Sequence, residues 1–299
     1  MKVVFLGTPQ FAVLPLQAIA KSAHKVVAVV CQPDRAKNRK GEFIFSPVKN
    51  AATQLNIPVF QFENINQNVD ILKSLDADIF ITAAYGQILS QNVIDIPKYG
   101  IINAHSSLLP LLRGASPIQS ALLLGHDKTG VTIMQTEAGL DCGDIILSKQ
   151  INILDSDDIL TLTQSLSEMA ADLLVSALDL IESGQAKPTV QDHARATKCT
   201  LIKTSAGNLD FNECATDLFN KIRAIDCFAF INGVRIKILK SEVVEACHKP
   251  EMGQVGTFDS DFVVFCGRGL LKITKVLPQN KSQMSGKEYL IGHRGKKFD

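Results

Sequence analysis

Three polar side chains have the types and the spacing of a small acid–base site. Asn103 and His105 lie two residues apart at the end of an apolar run, residues 99–104, that predicts a buried strand. Residues i and i+2 of a strand point to the same side, so the amide and the imidazole should emerge together. Asp141 follows His105 by 36 residues. Together these groups offer a hydrogen-bond donor for an oxyanion, a proton carrier and a carboxylate that orients it.

The elements predicted around these residues bring them to one place. Turn-forming residues follow His105, so the pair stands at the carboxyl end of a strand, where open α/β sheets bind ligands. In a parallel sheet, the one helix and one strand predicted before Asp141 can return the chain to the same edge. Gly139 and Gly143 predict a tight loop that pushes the Asp141 carboxylate outward. The alternative is a satisfied polar pair at a strand end and a separate turn residue.

The sequence offers no context for a covalent nucleophile. A Gly-x-Ser-x-Gly elbow is absent from it. The segment Gly7-Thr8-Pro9, after the first predicted strand, also differs from the Gly-x-Gly-x-x-Gly of dinucleotide sites. General acid–base catalysis without a covalent intermediate is therefore the favoured chemistry.

The order of predicted elements indicates two domains. Strand and helix patterns alternate up to residue 184, which predicts an α/β catalytic domain, residues 1–184, with a Rossmann-like, mostly parallel sheet. A polar linker follows at residues 185–205. Beyond a predicted helix at residues 215–224, short strands divided by glycines and polar turns predict a small β-barrel over residues 206–299.

Some finer predictions concern single elements. Ser46 and Pro47 have the types of an N-cap and a first helical residue. Apolar spacing predicts helices at residues 65–74 and 158–182. A strand is predicted at residues 254–258.

Composition describes a globular chain with a sizeable core. Of 299 residues, 46% are hydrophobic and 20% charged, and the length favours two domains. The net charge of +1 gives no whole-protein field for nucleic acid. Residues 205–299, however, hold 14 Lys and Arg against 11 Asp and Glu. That surplus suits an anionic partner of the C-terminal part, and a solvated basic face explains it equally well.

Cysteine usage and hydropathy bear on the compartment. The seven cysteines are widely spaced and form no Cys-x-x-Cys pair, so we expect reduced thiols, no disulfide framework and no metal site. No apolar run approaches the roughly 20 residues that span a bilayer. We therefore expect a cytoplasmic protein with no membrane partner. Separately, we expect a monomer.

Residues 32–47 interrupt the alternation of strand and helix with a long polar segment. It carries four basic residues, Arg35, Lys37, Arg39 and Lys40, and then Phe43 and Phe45. A long loop inside a compact domain is often functional, and a basic and aromatic mixture suits a nucleic-acid backbone. An ordinary surface loop is the open alternative.

Several of these motifs together resemble one family. The run Asn103-x-His105-x-Ser107-Leu108-Leu109-Pro110, followed by Leu140-Asp141-x-Gly143, is similar to the 10-formyltetrahydrofolate-dependent formyltransferases. Other segments resemble the branch of that family that formylates methionyl-tRNA: Phe5-Leu-Gly-Thr-Pro-x-Phe11, Gln32-Pro-Asp-Arg35, Ser46-Pro-Val-Lys49, Gly130-Val-Thr-Ile-Met-Gln135, Met284-Ser285 and Gly292-His293-Arg294. The resemblance covers nearly the whole chain.

The resemblance implies a transfer of the formyl group of 10-formyltetrahydrofolate to the α-amino group of methionyl initiator tRNA, with no metal. Asn103 would bind the developing oxyanion, and His105 would share that role and assist proton transfer. Asp141 would orient the imidazole and help to move protons.

It also implies where the co-substrate and the tRNA bind. The folate pocket would be lined by Ser107, Leu108, Leu109 and Pro110, by Tyr85, Gly86, Gln87, Ile88 and Leu89, and by Gly139 and Leu140. Arg35, Lys37, Arg39 and Lys40 would form the tRNA-binding loop, with Arg39 as its functional arginine. The C-terminal domain would be an OB-like fold that touches tRNA.

The chain departs from the family pattern in three places. Leu111-Leu112-Arg113-Gly114 stands where the family usually has Arg-Trp-Arg-Gly, and the chain has no tryptophan. The family's Asn-Pro-Trp-Pro-Gly-Ala segment is reduced to residues 225–230, and Asn38 and Lys40 replace glycines of the basic loop. A sister formyltransferase acting on a nucleotide sugar or glycinamide ribonucleotide, a formyltetrahydrofolate hydrolase and a non-catalytic RNA-binding relative are the alternatives.

Overall fold

A computed structural model of the protein describes residues 1–35, 41, 43–244, 254–291 and 297–299. The chain divides into two compact units. The first comprises Met1–Pro117, Lys128–Asn152 and Leu160–Cys199. The second comprises Ile118–Asp127, Ile153–Ile159 and Thr200–Asp299.

The strands and helices up to Cys199 follow the predicted alternation for most of their length. The strands are β1 Lys2–Gly7, β2 Lys25–Cys31, β3 Val59–Gln61, β4 Ile79–Ala83, β5 Ile101–His105, β6 Arg113–Gly114, β7 Lys128–Gln135, β8 Ile145–Asn152 and β9 Lys198–Cys199. The helices are α1 Val13–Lys21, α2 Pro47–Gln54, α3 Val69–Ser74, α4 Gln91–Ile94, α5 Pro117–Leu123 and α6 Ile159–Glu182.

The large sheet of the first unit has the order β3-β2-β1-β4-β5-β7-β8. Neighbouring strands are parallel from β3 to β5, whereas β7 runs antiparallel to β5 and β8 antiparallel to β7. The predicted α/β class with a mostly parallel sheet is confirmed. The predicted parallel return of the chain to Asp141 is wrong, because the alternation of strands and helices does not fix the direction of each strand.

The central strands are buried on both faces. Side chains of β1 from Val3 to Leu6 and of β4 from Ile79 to Ile81 have no solvent exposure, which explains their continuous apolar runs. The long helix α6 buries Leu162, Leu166, Leu174 and Leu178 at helical spacing. No helix among the described residues is long and apolar enough to cross a membrane.

The start of α2 agrees with its sequence signal, and the start of α3 does not. The Ser46 hydroxyl accepts a hydrogen bond from the Lys49 amide at 3.2 Å and Pro47 opens α2, as predicted. The single helix predicted at residues 65–74 is wrong. A 3-10 turn, Ile65–Gln67, precedes α3, and Asn68 between them has a non-helical φ of −121°.

The second unit contains an antiparallel sheet, which confirms the strand-rich C-terminal domain predicted beyond the helix at residues 215–224. Its strands are β10 Cys227–Ile231, β11 Val234–Val244, β12 Val263–Phe265, β13 Leu270–Pro278 and β14 Met284–Ser285, and its helices include α7 Ala215–Ala224 and α8 Gly286–Ile291. The order is β10-β11-β13-β12, with β14 paired to β13. The predicted strand at 254–258 is wrong, since only Thr257 and Phe258 form isolated bridges there.

Within the segment predicted as a linker, residues 185–199 belong to the first unit and residues 200–205 to the second. Strand β9 of this segment pairs in parallel with β6, so that Arg113 faces Lys198 and Gly114 faces Cys199. Neither two-residue strand was predicted from the sequence. In the chain, β6 is the strand that follows β5, which carries the catalytic candidates.

Candidate active site

The amide of Asn103 is oriented by its neighbour in the sheet. Thr82 on β4 lies opposite Asn103 on β5, and its hydroxyl donates a hydrogen bond to Asn103 Oδ1 at 2.9 Å. The amide nitrogen Nδ2 is thereby turned towards Asp141, whose Oδ1 lies 3.4 Å away. Thr82 was not predicted as part of the site, since a single buried threonine gives no sequence signal.

The imidazole of His105 lies on the same side of β5 and is 5% exposed. Its Nε2 lies 2.9 Å from the carbonyl oxygen of Leu112. Its Nδ1 lies 3.7 Å from Asp141 Oδ2, a distance longer than a hydrogen bond. The structure therefore brings together all three residues predicted to do the chemistry.

The Asp141 carboxylate is held by a backbone amide. The Gly114 N–H donates to Asp141 Oδ2 at 2.8 Å, while Oδ1 faces Asn103. Asp141 itself has φ +50°, a left-handed conformation that aspartate and asparagine adopt more readily than most residues. The residue with the left-handed backbone in this loop is therefore the one that supplies the carboxylate.

The two glycines beside Asp141 serve close packing rather than positive φ. A Cβ on Gly143 would lie 2.0 Å from the Gln135 carbonyl oxygen, so only glycine fits there. The Gln191 amide then donates to the carbonyl oxygens of Gly143 at 2.7 Å and Asp141 at 3.1 Å. These contacts fix the loop between β7 and β8.

Gln191 is in turn held by a buried arginine. Its Oε1 accepts hydrogen bonds from Arg113 Nε at 3.2 Å and Nη2 at 2.6 Å. Both side chains are buried, and the guanidinium also lies 3.0 Å from His193 Nδ1. Sequence reasoning missed Gln191, because it stands in a polar stretch that resembles a linker.

Most of the residues predicted to line a folate pocket fall on two segments that leave neighbouring parallel strands, and Gly139 and Leu140 lie in the loop between β7 and β8. Ser107, Leu108, Leu109 and Pro110 follow β5, and the Ser107 hydroxyl donates to the Leu111 carbonyl at 2.6 Å. Thr132 on β7 holds this segment through two hydrogen bonds of its hydroxyl. Its hydroxyl donates to the Ser107 carbonyl at 2.7 Å and accepts from the Leu109 amide at 3.1 Å.

The second segment, Tyr85, Gly86, Gln87, Ile88 and Leu89, follows β4. The Tyr85 ring is 4% exposed within the hydrophobic core, and burial raises the pKa of its phenol. The Gln87 amide donates to the Phe62 carbonyl at 2.9 Å, and Gly86 has φ +90°. Ile88 is 86% exposed, and Leu140 beyond Gly139 is 58% exposed.

The structure describes the basic loop at residues 32–35, 41 and 43–47. The exposed Arg35 forms an ion pair with Glu63 at 2.7 Å between Nη2 and Oε2. Lys37, Arg39 and Lys40 lie outside the described residues, as does Gly292-His293-Arg294. Within the described ranges, no group of three or more His, Cys, Asp or Glu side chains is arranged to hold a metal ion.

Comparisons with known proteins agree along the whole chain. The family described as Formyl transferase matches residues 1–178, and Formyl transferase, C-terminal domain, matches residues 201–294. A methionyl-tRNA formyltransferase of Sulfurihydrogenibium sp. is 40% identical over 311 residues, covering 100% of both chains. One from Caldanaerobacter subterraneus subsp. tengcongensis is 37% identical and covers 98% of this chain and 97% of its own.

A solved structure shares the fold. WlaRD, a sugar 3N-formyl transferase crystallised with dTDP and 5-N-formyl-THF, superposes with a TM-score of 0.67 at 21% identity. The match covers 94% of this chain and 99% of WlaRD. With both family domains matched and full-length relatives at 37–40% identity, the chain belongs to the formyl transferase family.

Proposed function

We propose that the protein transfers the formyl group of 10-formyltetrahydrofolate to the α-amino group of methionyl initiator tRNA, giving formylmethionyl-tRNA for translation initiation. The observation that carries this proposal is the full-length match to methionyl-tRNA formyltransferases, at 40% identity over 100% of the chain. The match spans the second unit as well as the unit that holds Asn103, His105 and Asp141.

The reaction joins the amine nitrogen to the formyl carbon and breaks the bond between that carbon and N10 of the folate. The amine loses a proton and N10 gains one, while the formyl oxygen carries negative charge in between. Asn103 Nδ2 donates a hydrogen bond to this oxygen, because Thr82 holds its Oδ1 and fixes the amide. Such a preorganised donor is worth about 10²–10³ in rate.

His105 and Asp141 move the protons. A neutral imidazole accepts the proton of the attacking amine, and the carboxylate 3.7 Å from Nδ1 stabilises the imidazolium that results. Both groups are largely buried, where a nearby opposite charge is screened less than in water. The protein is proposed to act as a cytoplasmic monomer.

The folate binds at the carboxyl edge of the sheet, beside the segments that follow β4 and β5. Exposed apolar Ile88 and Leu140 offer contact area for a pterin ring system, and backbone groups of residues 85–89 and 107–110 offer its hydrogen bonds. The solved neighbour WlaRD was crystallised with a formylated tetrahydrofolate, which supports this class of co-substrate.

Two features support tRNA as the acceptor. Residues 205–299 carry the basic surplus, and the sheet face of the β10–β11 pair exposes Arg235 above the Phe228 ring at 3.9 Å. Basic side chains attract phosphate, and an aromatic ring beside arginine suits a nucleotide base. Arg35, with Lys37, Arg39 and Lys40, is proposed to bind the acceptor stem.

A formylation assay tests the proposal directly. With 10-formyltetrahydrofolate, we expect transfer to methionyl initiator tRNA and none to an amino sugar nucleotide or glycinamide ribonucleotide at equal concentration. Transfer to a small amine alone would replace the proposal with a sister activity. Release of formate without any acceptor would indicate a hydrolase.

A further inference from the structure

We infer that Thr197 is a positioning residue, which acts through the Leu112 carbonyl to hold His105 in the tautomer protonated at Nε2. Nδ1 is then the free base that faces Asp141. The catalytic meaning of this arrangement rests on the proposed function, whereas the tautomer is a property of the folded chain alone.

The tautomer follows from the partner of each ring nitrogen. A carbonyl oxygen has no proton, so Nε2, 2.9 Å from the Leu112 oxygen, must donate. A neutral imidazole has one N–H, and Nδ1 is therefore unprotonated. Asp141 does not compete for the ring in this state, because its Oδ2 lies 3.7 Å from Nδ1, beyond hydrogen-bond distance.

The Leu112 carbonyl is aimed by the chain segment that contains Thr197. Leu112 has φ +56°, a left-handed conformation that leucine rarely adopts, so its orientation needs support from outside. Its amide donates to the Thr197 hydroxyl at 2.8 Å. The Thr197 backbone also forms hydrogen bonds with the residues on either side of Leu111-Leu112. Its amide donates to the Pro110 carbonyl at 3.3 Å, and its carbonyl accepts from the Arg113 amide at 2.9 Å.

This support gives the imidazole a partner on each side during proton transfer. When the substrate amine gives its proton to Nδ1, the new Nδ1–H faces Asp141 while Nε2–H stays on the Leu112 oxygen. In the other tautomer, Nδ1 would already be protonated and could not accept that proton. Fixing the tautomer before the reaction removes this unproductive state.

The matched variants are Thr197→Val, which removes the hydroxyl but keeps the shape, and Thr197→Ser, which keeps the hydroxyl. Thr197 is exposed, so neither change disturbs the core. The full chain is labelled with ¹⁵N-histidine, and long-range ¹H–¹⁵N spectra are recorded at about pH 8.5, above the usual imidazole pKa of about 6.5. His105→Gln identifies the His105 signals.

We expect protonated Nε2 and unprotonated Nδ1 in the unsubstituted chain and in T197S, and a mixture of tautomers in T197V. On methionyl-tRNA, T197V should lose about tenfold in kcat with little change in KM, and T197S should restore kcat. Protonated Nδ1 in the unsubstituted chain, or an unchanged tautomer in T197V, overturns the inference. Should T197V fail to fold, Thr197→Ala, which also removes the hydroxyl bonded to the Leu112 amide, takes its place in both measurements. Lack of activity on methionyl-tRNA would reject the proposed function and leave the spectra unaffected.

Discussion

Polar side chains are buried at the carboxyl edge of the first unit's sheet and exposed on the outer face of the β10–β11 pair in the second unit. At the sheet edge, His105 and Arg113 are buried and bonded to backbone or amide groups. On the β10–β11 face, Arg235 and half-buried Phe228 stand towards solvent. The first arrangement fixes geometry before a ligand arrives, and the second leaves charge and aromatic area available to one.

The difference indicates how the two units divide the proposed work. Stabilising a charge that forms only during reaction needs donors that are already fixed and desolvated. Attracting a long polyanion needs exposed charge, and its contribution falls as salt screens it. Changes at the sheet edge should therefore alter kcat, and changes on the β10–β11 face should alter KM for tRNA.

The largest effect is expected for His105→Ala. Loss of the proton acceptor should lower kcat by about 10²–10⁴ while the far-ultraviolet circular dichroism stays unchanged. His126→Ala, a histidine of the second unit, is the matched control and should retain activity. Turnover of H105A within a factor of two of the unsubstituted enzyme would remove His105 from the mechanism.

Asn103→Asp should lower kcat by about 10²–10³, because it removes the donor to the oxyanion and puts a second carboxylate beside Asp141. Thr82→Val is a milder companion that keeps the amide but removes the hydroxyl bonded to its oxygen. Single-turnover rates at saturating tRNA measure both. A larger loss for T82V than for N103D would contradict the assigned order of roles.

Gln191→Leu tests whether the geometry of the site at the carboxyl edge of the first unit's sheet depends on a residue remote from the reaction. It leaves the Arg113 guanidinium without its amide acceptor and the loop carbonyls of Asp141 and Gly143 without their donor. Stability should fall by about 2 kcal/mol, and kcat by about tenfold.

Urea unfolding and steady-state kinetics measure the two effects of Q191L. The control Gln164→Leu removes an exposed amide on α6, 2.7 Å from Glu168, and should change stability by less than about 0.5 kcal/mol. Equal unfolding midpoints for Q191L and Q164L would show that the Gln191 network does not hold the loop.

The smallest effect is expected on the β10–β11 face. Arg235→Ala should raise KM for tRNA a few-fold at low salt, with kcat unchanged, and should reduce the salt dependence of binding by about one unit of slope. Lys21→Ala removes the same charge from the end of α1 in the first unit and serves as the control. A fall in kcat with no change in KM would break the proposed division between the units.

The buried core of the sheet and the residues that carry the chemistry could be predicted from the sequence, because the signals for both lie within short segments of the chain. Continuous apolar runs imply strands covered on both faces, and the two-residue spacing of Asn103 and His105 implies one side of β5. The helix Ala215–Ala224 carries its own periodic signal. The glycines around Asp141 and its distance from His105 made Asp141 a candidate, and the family resemblance implied its role beside the imidazole.

The residues that hold the site in place had no such signal. Thr82, Gln191 and Thr197 are single polar residues whose partners are distant in sequence, and their contacts exist only once the sheet and loops are assembled. The antiparallel direction of β7 was equally hidden, because strand length and hydropathy are the same in either direction. Strands β6 and β9 consist of two residues each, too few for a periodic pattern.

The left-handed backbone at Asp141 limits what mutation can place there. Among the twenty residues, glycine, asparagine and aspartate tolerate φ +50° best, and only aspartate also supplies a carboxylate of that length. Glutamate, the usual conservative replacement, satisfies the charge but not the backbone. In a saturation library at position 141, asparagine and glycine should preserve the fold and aspartate alone should preserve turnover. Every substitution at this position should therefore lower activity.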